Sequence, residues 1–419
     1  MRFEYSHSAL ILMVLCFCFS CTKTEVDPTK NISTSPILFY RIGQGATLTS
    51  MEQTSNGGNI MCGYEFAGGT KNTDGFLLKT DSKGAVQWKQ TYGGPETDQF
   101  NKVLQTSDGG YIMTGTTNSY GNGATRGDYY NDSWVVKVDA HGNLLWQKTF
   151  GDIYTDDLYD VTEMADHSLV IVGFIAAPNN PNFSGYTAQS YIVKLDQNGN
   201  VLYNNVIVQL QKNYRSNFSG VVDIPGGFAV IGRVVKSSAV NDQSTFYPVV
   251  AGFGGANGHT LLWLKIDSGS GSAIVSRIIN TGDGLITATQ SNDTGGVIKI
   301  FKTDYKGTLL WSKNCKSSGA NFLTCFSPNA KGGYLLGGYS YSNTYAASLP
   351  YLLSITAQGD VTYEADMPVN EYSLAIENAT ATSGGFNVGL AITSNVLNKG
   401  NQFGLAGIDK NGKLTDYGK

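Results

Sequence analysis

Between Asn101 and Asp152, four short runs rich in β-branched and aromatic residues alternate with polar turns. The run around Val103, Leu104 and Gln105 stops at Asp108-Gly109-Gly110, and Tyr111–Thr116 follows. Ser133–Val138 then ends at Asp139-Ala140-His141-Gly142, and Leu144–Phe150 completes the set. Two of the connections are tight and carry glycine, which supplies the positive φ that a short strand reversal needs. The pattern predicts four consecutive antiparallel strands whose register is pinned by those turns.

The same grammar runs through nearly the whole chain. Turn glycines recur at Gly84, Gly142, Gly199, Gly258, Gly307, Gly359 and Gly412, on average about 55 residues apart. Six of them are followed four or five residues later by Trp88, Trp146, Tyr203, Trp263, Trp311 or Tyr363. The first turn of each unit repeats at Gly57-Gly58, His167-Ser168, Gly226-Gly227, Asp283-Gly284, Gly332-Gly333 and Gly384-Gly385. A unit of this length holds one four-stranded sheet. The expected fold is therefore all-β: a seven-bladed β-propeller of four-stranded antiparallel blades. The fourth unit fits only if Leu261–Ile266 is its last strand and Tyr247–Phe253 its third.

Closure of such a ring requires the chain ends to meet. Leu38–Gly43 resembles the fourth-strand segment Trp146–Gly151 yet precedes the first full unit, so it is expected to complete the last blade. Lys413–Tyr417 competes for that edge. Closure protects sheet edges and lets neighbouring blades bury one another's faces. A further glycine inside the second strand, at Gly63, Gly115, Gly173, Gly232, Gly338 and Gly389, marks a bulge or close backbone approach near the axis.

Composition supports a turn-rich β domain: 51 glycines, 24 tyrosines, only 10 prolines and 15% charged residues argue against disorder. A formal net charge of −4, with no run of five basic residues, excludes general attraction to nucleic acid. At the N-terminus, Arg2 precedes an apolar run from Ala9 to Phe19, too short to span a bilayer, then Ser20 and Cys21. Residues 1–20 are expected to be an export signal, 21–36 a flexible tether lipidated at Cys21, and 37–419 the propeller. Phe19-Ser20-Cys21 resembles a bacterial lipobox, with an ordinary signal peptide as the alternative.

Candidate chemistry is sparse. The histidines His141, His167 and His259 fall in or beside tight turns of different units, an arrangement that does not build a triad or a zinc site. Cys62 is expected in the core, and Cys315 and Cys325 flank a loop where they either bridge or remain free. The pairs Lys79/Asp81, Lys137/Asp139, Lys194/Asp196 and Lys302/Asp304 repeat, which favours turn stabilisation over catalysis, the lysine stems covering apolar surface. The six fourth-strand aromatics are read as interblade packing.

Function is instead expected on the segments that do not repeat. Long second-to-third-strand loops and interblade links emerge on one face, bringing Tyr120, Arg126, Tyr129, Tyr130, Asp132, Tyr154, Phe183, Tyr186, Tyr214, Arg215, Phe246 and Tyr247 together. Aromatic faces beside amides and carboxylates suit sugar rings or a protein loop. Asp98, Asp128, Asp132, Asp156, Asp157 and Asp160 cluster there without EF-hand spacing, so no cofactor is expected, with calcium the lesser alternative.

The segments Asp108–Gly115 and Trp134–Trp146 resemble the repeats of propeller lipoproteins exported by Gram-negative bacteria, over about residues 37–419. The Asp-x-x-Gly-x-x-x-Trp portion is similar to quinoprotein-like propellers, including the lipoprotein of the outer-membrane barrel-assembly machine. Those rings usually have eight blades, and the vicinal cysteine pair of quinoprotein dehydrogenases is absent, which argues against a redox cofactor. A monomer is expected, anchored by lipid on Cys21 to the outer membrane of a Gram-negative bacterium and facing the periplasm or the surface. The leading expectation is a non-catalytic protein binding a glycan or an envelope protein. The alternatives are a glycoside hydrolase or lyase with carboxylates in the central funnel, and an envelope assembly scaffold.

Overall fold

The computed structural model describes residues 37–417 except 41, 43–44, 69–71, 123–129, 153, 178–186, 208–213, 237–245, 256–257, 268–272, 292–296, 316–320, 330–331, 343–346, 367–372, 383–384, 394–401 and 410–412. Strand β1 (Leu38–Tyr40) is followed by blade 1: β2 (Thr47–Gln53), β3 (Asn59–Phe66), β4 (Thr73–Thr80) and β5 (Val86–Tyr92). Blade 2 is β6 (Asp98–Gln105), β7 (Tyr111–Thr117), β8 (Asp132–Val138) and β9 (Leu144–Phe150), and blade 3 is β10 (Asp157–Glu163), β11 (Leu169–Ala177), β12 (Thr187–Leu195) and β13 (Val201–Val206). Blade 4 comprises β14 (Tyr214–Ile224), β15 (Gly227–Lys236), β16 (Phe246–Gly254) and β17 (Thr260–Ile266). Blade 5 comprises β18 (Ala273–Asn280), β19 (Leu285–Ser291), β20 (Ile298–Thr303) and β21 (Leu309–Cys315). Blade 6 is β22 (Asn321–Pro328), β23 (Tyr334–Ser342), β24 (Ala347–Ile355) and β25 (Val361–Asp366). Blade 7 opens with β26 (Ser373–Thr382), β27 (Gly385–Thr393) and β28 (Gln402–Asp409), and β29 (Leu414–Thr415) is the last strand.

Each blade is a meander of antiparallel neighbours, and the seventh is completed by both chain ends. Leu38, Phe39 and Tyr40 pair with Leu405, Gly404 and Phe403, while Leu414 and Thr415 pair with Ile408 and Gly407 further along the same edge. The two competing segments therefore share the outer edge of β28. Tyr40 does there what a fourth-strand aromatic does elsewhere. It is buried, stacks on Phe403 at 5.5 Å, and its hydroxyl donates to the Gly84 carbonyl at 2.6 Å.

The repeat length follows from the contact that Tyr40 illustrates. In four blades the positive-φ glycine of the third-to-fourth-strand turn lies against the aromatic of the preceding blade: Gly142 on Trp88, Gly199 on Trp146, Gly307 on Trp263 and Gly359 on Trp311. A Cβ at Gly307 would sit 2.7 Å from the Trp263 ring, so only glycine closes this seam. At Tyr203 the partner is His259, stacked at 4.0 Å. The cores accordingly lie between blades. Ile60, Cys62 and Leu77 of blade 1, for example, meet Phe100, Met113 and Trp134 of blade 2.

The repeated acids hold turns. Asp139 Oδ1 accepts from the His141 and Asn143 amides at 2.8 and 2.9 Å, and Asp81, Asp196 and Asp304 make the same pair of bonds. The partnered lysines do more than cover apolar surface with their stems. Lys137 is buried and pairs with Asp108 at 2.9 Å, tying the two hairpin turns of its blade together, and Lys302 with Asp283 repeats this. Cys62, Cys315 and Cys325 are all buried free thiols, so the bridge left open by the sequence does not form.

Candidate functional site

The innermost strand of six blades carries a one-residue bulge two to five positions from its start. The extra residues are Thr49, Asn101, Tyr159, Ser219, Thr324 and Glu377. In five of these blades the second-strand glycine stands opposite the residue just before the bulge. A Cβ at Gly115 would lie 2.8 Å from Phe100 Cα, and at Gly232 2.8 Å from Phe218 Cα. Blade 7 builds its bulge opposite Leu390, with Gly389 one place earlier. Blade 5 has Thr289 at the glycine position, no bulge there, and Arg277 opposite Ala288 instead. A bulge re-aims one side chain out of the alternation. Here the re-aimed side chains line the axis.

Around them lies a cavity of about 420 Å³. All seven blades contribute: Thr49 and Ser50, Asn101 and Lys102, Tyr159 and Asp160, then Asn217, Ser219 and Arg233, then Arg277, Thr324, and finally Glu377 and Asn378. Several of these side chains also fasten neighbouring blades. Thr49 Oγ1 donates to the Phe100 carbonyl at 2.7 Å, Asn101 Nδ2 to the Leu158 carbonyl at 3.0 Å, and Thr324 Oγ1 to the Ile376 carbonyl. Each acceptor directly precedes the next blade's bulge. Arg277 extends the series, donating Nε and Nη2 to the Thr324 carbonyl at 3.0 and 2.8 Å.

A polar chain crosses blades 2 to 4 beside the cavity. Asn101 Nδ2 donates to Asp157 Oδ1 at 2.7 Å, Tyr159 hydrogen-bonds Asp157 and Asn217, and Arg233 Nε donates to Asn217 Oδ1 at 3.2 Å. Arg233 in turn lies 4.7 Å above the Phe246 ring, a cation–π contact. Burial pushes the Asp157 carboxyl up to about 8 against the hydrogen bond from Asn101, and pushes the Tyr159 hydroxyl upward as well. Glu377 is raised to about 7 by burial, opposed by the positive charge of Arg277. Lys102 and Asp160 stand 3.9 Å apart, and Asp160 also accepts from the Val221 amide at 3.0 Å.

The loop-face residues have more varied placements. Arg126, Tyr129, Phe183 and Tyr186 lie outside the described residues, as does Asp128. Tyr120 turns inward: its hydroxyl donates to the Gly93 carbonyl at 2.6 Å and its ring packs 5.8 Å from Trp134. Asp132 is the buried first residue of β8, tucked against Gly151. Tyr130 and Tyr154 are half-buried where Asn131 bonds the backbone of Asp156 at 2.8 and 3.1 Å. Tyr214 and Arg215 belong to strand β14 rather than to a loop, Arg215 being exposed. Tyr247 packs on the blade 4 core, and Phe246 is the one that meets the axial site, through Arg233.

The clustered acids are likewise engaged with the chain. Asp98 accepts from Thr117, from Ser119 Oγ at 2.6 Å and from the Gly94 amide at 2.7 Å, and Asp156 accepts from the Ala176 and Asp152 amides at 2.8 and 3.0 Å. Among the described residues, no group of three or more His, Cys, Asp or Glu is placed to hold a metal ion. On the opposite rim, Ser107 Oγ, His167 Nδ1 and Glu163 Oε1 meet at 2.6 to 3.3 Å. Both contacts of His167 use the same nitrogen, whereas a triad needs one for the nucleophile and the other for the acid. This cluster joins blades 2 and 3.

No protein-family model and no curated protein matches the sequence. Among solved structures, puromycin hydrolase is similar at 11% identity and a TM-score of 0.51, covering 88% of this chain and 52% of that one. The β-propeller domain of the Trilobed protease from Pyrococcus furiosus aligns at 9% identity and 0.48, covering 90% and 97%. The periplasmic gluconolactonase of Pseudomonas aeruginosa aligns at 11% and 0.49, covering 85% and 94%. The chain spans about half the length of puromycin hydrolase and of the Pyrococcus horikoshii acylaminoacyl peptidase. At these identities the likeness shows the propeller fold alone.

Proposed function

We propose that this chain is a non-catalytic binding protein of the cell envelope, held to the membrane by lipid on Cys21, that takes a glycan where the long-loop face meets the axis. One observation carries this reading. All seven blades direct polar side chains into a single axial cavity of about 420 Å³, the size of a small-ligand pocket, with Phe246 and Arg233 beside it. The guanidiniums of Arg233 and Arg277 are already held by hydrogen bonds, so little side-chain freedom is left to lose on binding. A glycan array followed by calorimetry on the purified protein tests the reading. Binding of a saccharide that is weakened by Phe246→Ala supports it, and failure of every glycan class to bind refutes it.

A second reading draws on Glu377. A carboxyl group raised to about 7 inside a cavity that also holds Asp160 has the protonation behaviour of a general acid, as glycoside cleavage requires. Release of products from a polysaccharide panel, abolished by Glu377→Gln, would establish that reading in place of the first.

A further inference from the structure

We propose that two seams of the ring are closed by acid latches, Asp74 with Asp98 between blades 1 and 2 and Asp132 with Asp156 between blades 2 and 3, each holding one proton between two carboxyl groups. These latches belong to the scaffold of the loop face, and nothing about them depends on the ligand reading above.

The first support is repetition. Asp74 and Asp132 hold the same place, two residues before Phe76 and Trp134, the third-strand residues that face Gly63 and Gly115. Asp98 and Asp156 likewise stand two residues before Phe100 and Leu158, which face Gly115 and Gly173. Each pair closes on the glycine just after the intervening outer strand. A Cβ at Gly93 would fall against Asp74 Oδ1 and 2.9 Å from Asp98 Oδ2, and one at Gly151 against Asp156 Oδ2 and 3.1 Å from Asp132 Oδ1. Each gap thus receives two carboxyl groups and has no room for a side chain. At the next seam the equivalent residues are Gln189 and Ser216, and the Ser216 hydroxyl accepts from the Ser190 amide at 3.0 Å. That seam is held without an acid.

The second support is the balance of donors. Asp98 accepts from the Gly94 amide, Thr117 and Ser119, and Asp156 from the Asp152 and Ala176 amides, so each is the anchored acceptor of its pair. Asp74 Oδ1 is buried and meets no donor among the described residues. A proton on Asp74 supplies the missing donor and removes one of two like charges. Burial raises the Asp74 carboxyl to about 6, with Asp98 and Glu65 adding to the rise. Burial raises Asp156 to about 7, with Asp152 and Asp132 adding to it against the two amides. The other ionisable groups at the first seam are Glu65, Glu96, Tyr120 and Lys89, the lysine being taken up by Glu65 and the Ile42 carbonyl. At the second they are Asp152, Asp157 and Tyr191. Folded pKa values above the unfolded one make each latch tightest below about pH 4, and loosen it as pH rises through about 6 at the first seam and about 7 at the second. The latches thereby couple pH to the segments that carry Tyr120 and Tyr154.

Hydrogen–deuterium exchange of the full-length protein, with each rate divided by the intrinsic rate at that pH, tests this. Between about pH 5 and about pH 8.5 the protection of the Gly94 amide is expected to fall about tenfold, because the lower pH lies about one unit below the raised Asp74 value. Protection of Asp152 and Ala176 is expected to fall further. The Ser190 amide is the control and should keep its protection. Asp74→Asn puts an amide where the protonated carboxyl stood, so it should hold Gly94 protected at the higher pH while Asp152 and Ala176 still respond. Asp132→Asn should do the converse. Should one variant fail to fold, the other variant and the wild-type contrast with Ser190 decide the matter. A pH response shared by Ser190, protection that ignores pH, or a response that survives each substitution at its own seam overturns the latches. So does calcium restoring protection at about pH 8.5, which would make the pairs a cation site. No ligand enters these measurements, so none of these outcomes touches the glycan reading.

Discussion

Substituting Gly307 by alanine attacks the seam that sets the repeat. Gly307 has φ +78°, and its added Cβ would fall 2.7 Å from Trp263 Cε3 and 2.8 Å from Cδ2. The left-handed backbone costs a residue with a Cβ about 1–2 kcal/mol. Displacing the indole is overpacking, which adds about 1–3 kcal/mol. It also breaks the 2.8 Å hydrogen bond from Trp263 Nε1 to the Tyr305 carbonyl, a further ~1 kcal/mol. The total is about 3–6 kcal/mol. Gly282, in the same blade, has nearly the same φ, +81°, but nothing within 4 Å of its Cβ position, so alanine there carries only the backbone cost. Chemical unfolding of the two variants side by side is the assay. A loss at Gly307 larger than that at Gly282 by at least about 2 kcal/mol is expected. Equal losses would refute the seam as the reason for the repeated glycines.

Tyr40→Ala removes the aromatic of the closing strand and its bond to Gly84, and is expected to cost about 3–5 kcal/mol in the same assay, against under 1 kcal/mol if the clasp is dispensable. Burial raises Asp156 to about 7, Asp157 to about 8 and Glu377 to about 7, so the folded state binds more protons than the unfolded one. Their contribution is fully present below the unfolded pKa of about 4 and is lost as pH rises through about 7–8. The melting temperature should therefore be higher at pH 5.5 than at pH 8.5, and Glu377→Gln should flatten that slope; a flat wild-type profile contradicts the assignment. Burial pushes the thiols of Cys62 and Cys325 up to about 12, and neither is bridged. Peptide mapping after alkylation should find both unmodified in native protein and modified in denaturant, and native alkylation of Cys325 would show that its burial is wrong.

The fold was legible because its signals are local. Gly84, Gly142 and their successors report turns that need positive φ, and the aromatic four residues on reports the next seam. Leu38–Gly43 betrayed its role by resembling a last strand in a first position, although the sequence did not reveal that Leu414 and Thr415 would share the same edge. The axial site was less visible. Lys102, Arg233, Arg277 and Glu377, each 44 to 131 residues from the next, meet only through ring closure. The long loops drew attention through their tyrosines, yet Tyr120 and Asp132 face inward to hold the scaffold. A usable signal did exist. The second-strand glycines pointed to bulges, and reading across to the partner strand would have singled out Asn101, Tyr159, Ser219 and Thr324 as polar residues set against the apolar alternation.

The proposed function requires the six bulges and Arg277 to make the axis of the ring a binding site. A crystal structure of the full-length protein soaked with a saccharide that calorimetry shows to bind tests it most directly. Density for the sugar is expected in the axial cavity beside Arg233 and Phe246. An empty axis with the sugar held only on the outer loops, or a ring that leaves no cavity between the innermost strands, would contradict it.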